Sequence, residues 1–159
     1  MLSGTIGGMN TSDEVVTIHQ GPDLSAALRL LKSADLPTSD VTDAHMRHFF
    51  YLGPWAAPVG LVGVEFHGPD ALLRSLIVAP EHRIRGAGAL LVEHAETYAR
   101  AHGAVAVYIL TTTAEHFFRA RGYVTATRDQ APPAIRATPE FSSLCPASSA
   151  FLSKLLRIA

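Results

Sequence analysis

The chain has a single cysteine, Cys145, among its 159 residues. One thiol excludes an internal disulfide, and nothing in the sequence calls for an oxidising compartment. Long apolar runs are missing too. The longest clean stretch, Ala104 to Leu110, is about a third of a membrane span. Neither sign of charge dominates: 13 Lys and Arg stand against 14 Asp and Glu, a formal charge of −1. The basic excess of a general nucleic-acid binder is therefore absent. The opening residues, MLSGTIGGMNTSDE, hold no basic residue and no apolar stretch of the kind that begins a secretory signal. Residues 1–13 read as a flexible leader and 14–159 as one domain. The eight histidines show no tight ligand spacing, so no metal site is expected. These absences predict a cytoplasmic protein that binds neither membrane nor nucleic acid.

What is present suits one globular core: 48% of residues are hydrophobic and 17% charged. β-Branched Glu14 to Gln20 reads as a first strand. Pro22-Asp23 opens a helix with Leu24, Ala27, Leu28 and Leu31 on one face. A short helix is expected over Asp40 to His45. Strands are expected over Arg47 to Leu52, Val59 to His67 and Ala71 to Val78, as an antiparallel meander. Gly86 to His102 is the longest helix, closed by Gly103. Ala104 to Leu110, apolar throughout, suits a strand buried on both faces beside a parallel neighbour. A short helix over Thr113 to Arg121 and a strand over Tyr123 to Thr127 follow. Next come a Pro-rich loop with one helical turn at Ala134 to Ala137, and a last strand from Phe151 to Leu156. Antiparallel strands followed by a β-α-β crossover make an α/β sheet covered by helices.

The informative stretch is LIVAPEHRIRGAGALL, from Leu76 to Leu91. A strand ends, a loop carries arginines, and Gly-x-Gly opens an amphipathic helix. First-turn N–H groups lack helical partners and sit at the positive end of the dipole. Glycines there let an anion approach the backbone. A P-loop would need Gly-Lys-Ser/Thr, and no lysine is present. A dinucleotide fingerprint would need a small third residue where Leu91 stands, and an acid about 20 residues further on. The R-x-x-G-x-G pattern is matched by Arg83, Gly86 and Gly88. The plain alternative is a glycine-rich helix start used only for tight packing.

From Glu14 onward the chain resembles the GNAT superfamily of acyl-CoA-dependent N-acetyltransferases, through this motif and through TTTAEHFFRARGY, Thr111 to Tyr123. The resemblance implies an α/β fold: a central mixed sheet, antiparallel in its first half, with a splayed parallel pair in the middle and flanking helices. It implies acetyl-CoA as co-substrate, with no metal, and a small-molecule amine as acceptor. The pantetheine arm would enter the splay and pair with the backbone of Ile77 and Val78. The pyrophosphate would rest on the amides of Arg83, Ile84, Arg85, Gly86, Ala87, Gly88 and Ala89, and Phe117 and Phe118 would wall the pocket. A backbone N–H near Val78 would polarise the thioester carbonyl. Phe118 stands where family members commonly carry the tyrosine that protonates the departing thiolate. That leaves Thr112 with its neighbours Thr111 and Thr113, His116, or water for the task.

The strings ALLRSLIVAPEHR, YILTTTAEHFF and FSSLCPASS look like a GNAT subgroup found with arsenic-resistance genes. This implies detoxifying acetylation of a glutamate-like amino acid containing arsenic or phosphorus. Relatives often carry a glutamate early on the strand before the motif, where this chain has Leu72 and Leu73. Glu65, with His67 on the same face of the preceding strand, is the expected base; a solvated sheet face is the plain alternative. Arg74 lies in an apolar strand, where an unpaired charge is costly. It is expected to anchor an anionic substrate group, with Ser75 alternating to the other face; a surface arginine or a pair with a local carboxylate is the plain alternative. His48 is a further substrate-binding candidate. Cys145 reads as a packed or loop thiol. A non-catalytic acyl-CoA sensor and a protein-lysine acetyltransferase are the competing readings. The last strand, if exposed, would pair with a second copy to make a homodimer.

Overall fold

The computed structural model describes residues 17–82 and 86–156. The leader and three members of the cradle motif, Arg83, Ile84 and Arg85, lie outside the described residues. The first strand expected from Glu14 appears among the described residues as β1, His19–Gln20, paired antiparallel with the second. Helix α1, Leu24–Ser33, starts where the Asp23 carboxylate accepts the Ala26 N–H at 3.0 Å.

The short helix lies further along than expected. It is a 3₁₀ segment, Asp43–His48, because Thr42 and His45 cap one another there. The tight turn carries Arg47 and His48 with it, so β2 is only Phe49–Leu52. Strands β3, Gly60–His67, and β4, Asp70–Val78, complete the meander. Helix α2, Ala87–Ala101, follows. Gly86 caps it with φ +84°, a left-handed conformation that favours glycine.

Strand β5, Ala106–Thr111, runs parallel to β4, and the order across the sheet is β1-β2-β3-β4-β5-β7-β6. Helix α3, Glu115–Arg119, and strand β6, Val124–Thr125, are shorter than expected. The single turn α4, Pro133–Arg136, falls where the sequence suggested. The loop after it is ordered differently, as a π-turn over Glu140–Leu144. Strand β7, Ala150–Leu155, does not form an edge. It inserts between β5 and β6, bonded along the whole of β5, so the condition for pairing a second copy through an exposed last strand is not met.

Helix α2 covers one face of the sheet, burying Leu91, Ala95 and Ala99 against Phe50, Val62, Val64, Leu73 and Val107. On the other face, Leu31 of α1 packs on Phe49, Leu61 and Ile77, and Ile135 of α4 packs on Leu72, Leu110 and Phe151. Successive strand residues serve opposite faces. Among the described residues, no helix is long and apolar enough to cross a membrane.

Candidate active site in the split between two parallel strands

Strands β4 and β5 are paired only at their start, through Asp70–Ala106, Ala71–Val107 and Leu72–Tyr108. Beyond Leu72 they separate. The bend has a local cause. Gly63 of β3 faces Arg74, but Leu61 faces Ile77, so β4 spends one residue more than its partner. The bulge is at Ser75, which adopts φ +61°. A bulge re-aims side chains. Arg74 and Ser75, expected on opposite faces, both line the same cavity, and Arg74 Nε donates to Ser75 Oγ at 3.0 Å.

The split holds two adjoining cavities. The outer one, about 600 Å³, is walled by Leu76, Ile77, Val78, Gly88 and Phe117. The inner one, about 350 Å³, is walled by Arg74, Ser75, Thr111, Thr112, Glu140 and Cys145, among others. Leu36, Leu76, Thr113 and Ala114 border both. The outer cavity therefore joins the end of β4 to the first turn of α2, and the inner one reaches back to the C-terminal π-turn.

Arg74 is the polar centre of the inner cavity, and its guanidinium is fully buried. Its Nη2 donates to Asp40 Oδ1 at 2.9 Å, and its Nη1 to Asp40 Oδ2 and, at 2.8 Å, to Glu65 Oε2. Glu140 Oε2 lies 3.3 Å from Nη2. Three carboxylates thus surround one cation, an excess of negative charge away from water. Burial pushes the Glu140 carboxyl up to about 7; Arg74 opposes the rise, and Asp40 and Glu65 add to it. Burial also pushes the Cys145 thiol up to about 11, with Glu140 adding to the effect.

Of the two expectations for Arg74, the pair with local carboxylates is the arrangement present: each of its guanidinium nitrogens has protein partners. Glu65 is off the cavity wall, engaged by Arg74 and by His67 at 3.4 Å. His48 is also elsewhere. Its Nδ1 shares a 2.7 Å hydrogen bond with the Tyr98 hydroxyl, and its ring packs on Phe66 against α2. Burial, then Arg47 and His102, lower its pKa. Thr112 is exposed at the rim of the inner cavity.

The cofactor candidates divide similarly. Ile77, Val78, Gly88 and Phe117 face the outer cavity. A Cβ built on Gly88 would sit 3.4 Å from Phe117 Cζ, so its absence keeps that wall open. The Phe117 ring is backed by the Arg121 guanidinium, 3.9 Å from its centroid. Phe118, by contrast, is a core residue, packed edge-on against Tyr123 with one side on the inner cavity. Ala87 is buried in the core, and Ala89 lines a separate hollow with Glu93 and Lys154.

The sequence reading missed Glu140. It sits one residue after Pro139 in a Pro-rich stretch, and nothing local marks a glutamate that is 4% exposed. The neighbouring FSSLCPASS string was the available signal. Its residues Leu144, Cys145, Pro146 and Ser149 close the inner cavity.

Residues 22–123 match the model of the acetyltransferase (GNAT) family. Over 62 residues the chain is 42% identical to an amino-acid acetyltransferase of Pseudomonas fluorescens, a match covering 39% of this chain and 14% of that one. The chain thus spans about one seventh of that relative's length. An uncharacterized N-acetyltransferase of Chlorobaculum tepidum is 34% identical over 92 residues, covering 57% of this chain and 59% of that protein. Among solved structures, N-acetylglutamate synthase from Neisseria gonorrhoeae, complexed with coenzyme A and N-acetyl-glutamate, superposes with a TM-score of 0.76 at 21% identity. It covers 92% of this chain and 36% of the synthase.

Proposed function

Since the chain belongs to the acetyltransferase (GNAT) family, we propose that it transfers the acetyl group of acetyl-CoA to the amino group of a small, amino-acid-like acceptor. The observation that carries this reading is the split between β4 and β5, with one cavity at the first turn of a 15-residue helix and a second, more enclosed one behind it. The class of acceptor is supported by the likeness to the amino-acid acetyltransferases.

The outer cavity suits a CoA arm. Ile77 and Val78 would hold its amide-bearing portion along β4, Gly88 leaves room beside Phe117, and the left-handed Gly86 turns the backbone into α2. Arg83, Ile84, Arg85, Gly86, Ala87, Gly88 and Ala89 would provide the pyrophosphate cradle. Acetyl-CoA supplies an activated acyl group, so the protein needs only to align the amine and manage protons. The inner cavity would hold the amine, and Thr112 or Thr113 at the rim would offer a hydroxyl to the departing sulfur. The Val78 backbone would orient the carbonyl.

A glutamate analogue containing arsenic or phosphorus is the finer reading. Its anionic group would need a cation other than Arg74, or an exchange of partners at Arg74. The test is thiol release from acetyl-CoA with glutamate, its phosphinic and arsinic analogues, neutral amino acids, polyamines and a lysine peptide. Turnover with one or more of the amino acids supports the reading. Acetyl-CoA binding without any turnover would favour a sensor. Turnover of the peptide alone would favour a protein-lysine acetyltransferase.

A further inference from the structure

The geometry points to Glu140 as the group that takes the proton from the acceptor amine, with Arg74 as the positioning residue that holds its carboxylate toward the inner cavity. This role presupposes acetyl transfer as proposed above. Among the described residues, four acids lie near the cavity, and one of these has the right placement. Asp40 is held by both ends of the Arg74 fork and is not on the cavity wall. Glu65 is shared among Arg74, His45 and His67, also off the wall. Asp35 is on the wall but exposed to water. Glu140 is buried, lines the cavity, and contacts Arg74 at 3.3 Å, a looser contact than those of Asp40 and Glu65.

The surroundings fit the task. The charged and titratable groups facing Glu140 are Arg74 from β4, Asp40 from the loop before the 3₁₀ segment, Glu65 from β3 and Cys145 beyond the π-turn. One cation against three carboxylates leaves room for one proton, and that proton resides on Glu140 at neutral pH part of the time. A base with affinity near the working pH is the most effective kind. The excess acid also favours an incoming ammonium over an incoming anion at this spot. The π-turn matters here. It brings a carboxylate from the far end of the chain to a cavity whose β4 wall is Arg74, Ser75 and Leu76, with no acid among them.

In the step, the acceptor ammonium gives one proton to the Glu140 carboxylate and becomes a neutral amine. The nitrogen lone pair forms the C–N bond, the C–S bond breaks, and sulfur leaves with the bonding pair as a thiolate. The surplus proton on the new amide nitrogen goes to that thiolate, and Glu140 returns its proton to water. Charges and protons balance with acetyl-CoA as the only co-reactant.

The test compares the wild-type protein with Glu140→Gln, which keeps the shape, and Glu140→Ala. With the acceptor found active, kcat/KM for Glu140→Gln should fall about 100-fold at pH 7, while coenzyme A binding by calorimetry stays unchanged. The wild-type acidic limb near pH 7 should vanish in Glu140→Gln. It should move to lower pH in Asp40→Asn, because one carboxylate that raises Glu140 is gone. Added formate should restore part of the activity of Glu140→Ala, an effect that a purely structural role would not produce. Glu140→Gln with wild-type kcat/KM and an intact limb would overturn the assignment while leaving acetyl transfer standing. A wild-type protein that acetylates no amine would overturn both.

Discussion

Arg74 and Ser75 are neighbours on one strand, yet both face one cavity, joined by a 3.0 Å hydrogen bond from Nε to Oγ. In a regular strand they would point to opposite faces. The left-handed turn at Ser75 cancels that alternation, and it also sends β4 away from β5. The irregular residue thus lies within the unpaired stretch of β4 and furnishes part of the polar wall of the split.

Ser75→Val should cost about 2 kcal/mol, because a β-branched residue at positive φ is strained and the Arg74 Nε loses its acceptor. Ser75→Gly accepts the conformation and should cost less. Urea unfolding of both variants checks this; equal stability of Ser75→Val and wild type would mean the bulge does not depend on residue 75.

Arg74→Met should destabilise the fold by about 3–5 kcal/mol, the usual cost of removing one partner from a buried ionic cluster. Three carboxylates would then share a site with no cation. Arg74→Lys should recover only part of the loss, since an ammonium cannot grip Asp40 with two parallel donors. Chemical denaturation at pH 7 measures both.

Gly88→Phe should raise the acetyl-CoA KM about tenfold or more, equivalent to about 1.4 kcal/mol or more of lost binding, while the melting temperature changes little. Its side chain would project into the outer cavity beside Phe117. Gly86→Ala behaves differently. No atom lies near its Cβ position, but φ is +84°, so the penalty is strain of about 1–2 kcal/mol at the start of α2. Thermal melts and coenzyme A calorimetry on the two variants separate loss of space from loss of conformation.

Glu140 also makes a stability prediction with a definite sign. Its carboxyl rises from 4.5 to about 7 on folding, chiefly through burial. Between these values the folded chain holds a proton that the unfolded chain has released, so stability falls as pH rises through this window. The full loss is about 3 kcal/mol. Burial lowers His48 and His94, whose contributions run the other way. Both are common to wild type and variant and drop out of the difference. Glu140→Gln should therefore gain stability relative to wild type on going from pH 5 to pH 8. A constant difference across that range would contradict the buried ionisation.

Much of the chain followed from local chemistry. The meander, the long helix and its Gly86 and Gly103 boundaries, and the buried β5 rest on period, capping and turn residues that act over a few positions. The shift of the 3₁₀ segment to Asp43–His48 came from a cap between Thr42 and His45 that no apolar pattern announces. The place of β7 between β5 and β6 is a matter of sheet order, which strand pattern does not encode.

By itself the sequence determined the class of fold and the glycine-led start of α2, because helix starts and turns are written in adjacent residues. Tertiary structure alone decided what stands inside the split. Phe118 went to the core and Phe117 to the cavity because the short α3 can bury only one of two adjacent rings against Tyr123. Arg74, alone on an apolar strand, reads as a charge in search of a ligand. Folding provides the ligand internally, as Glu65 from the neighbouring strand and Asp40 and Glu140 from distant segments neutralise a guanidinium that cannot be left unpaired away from water.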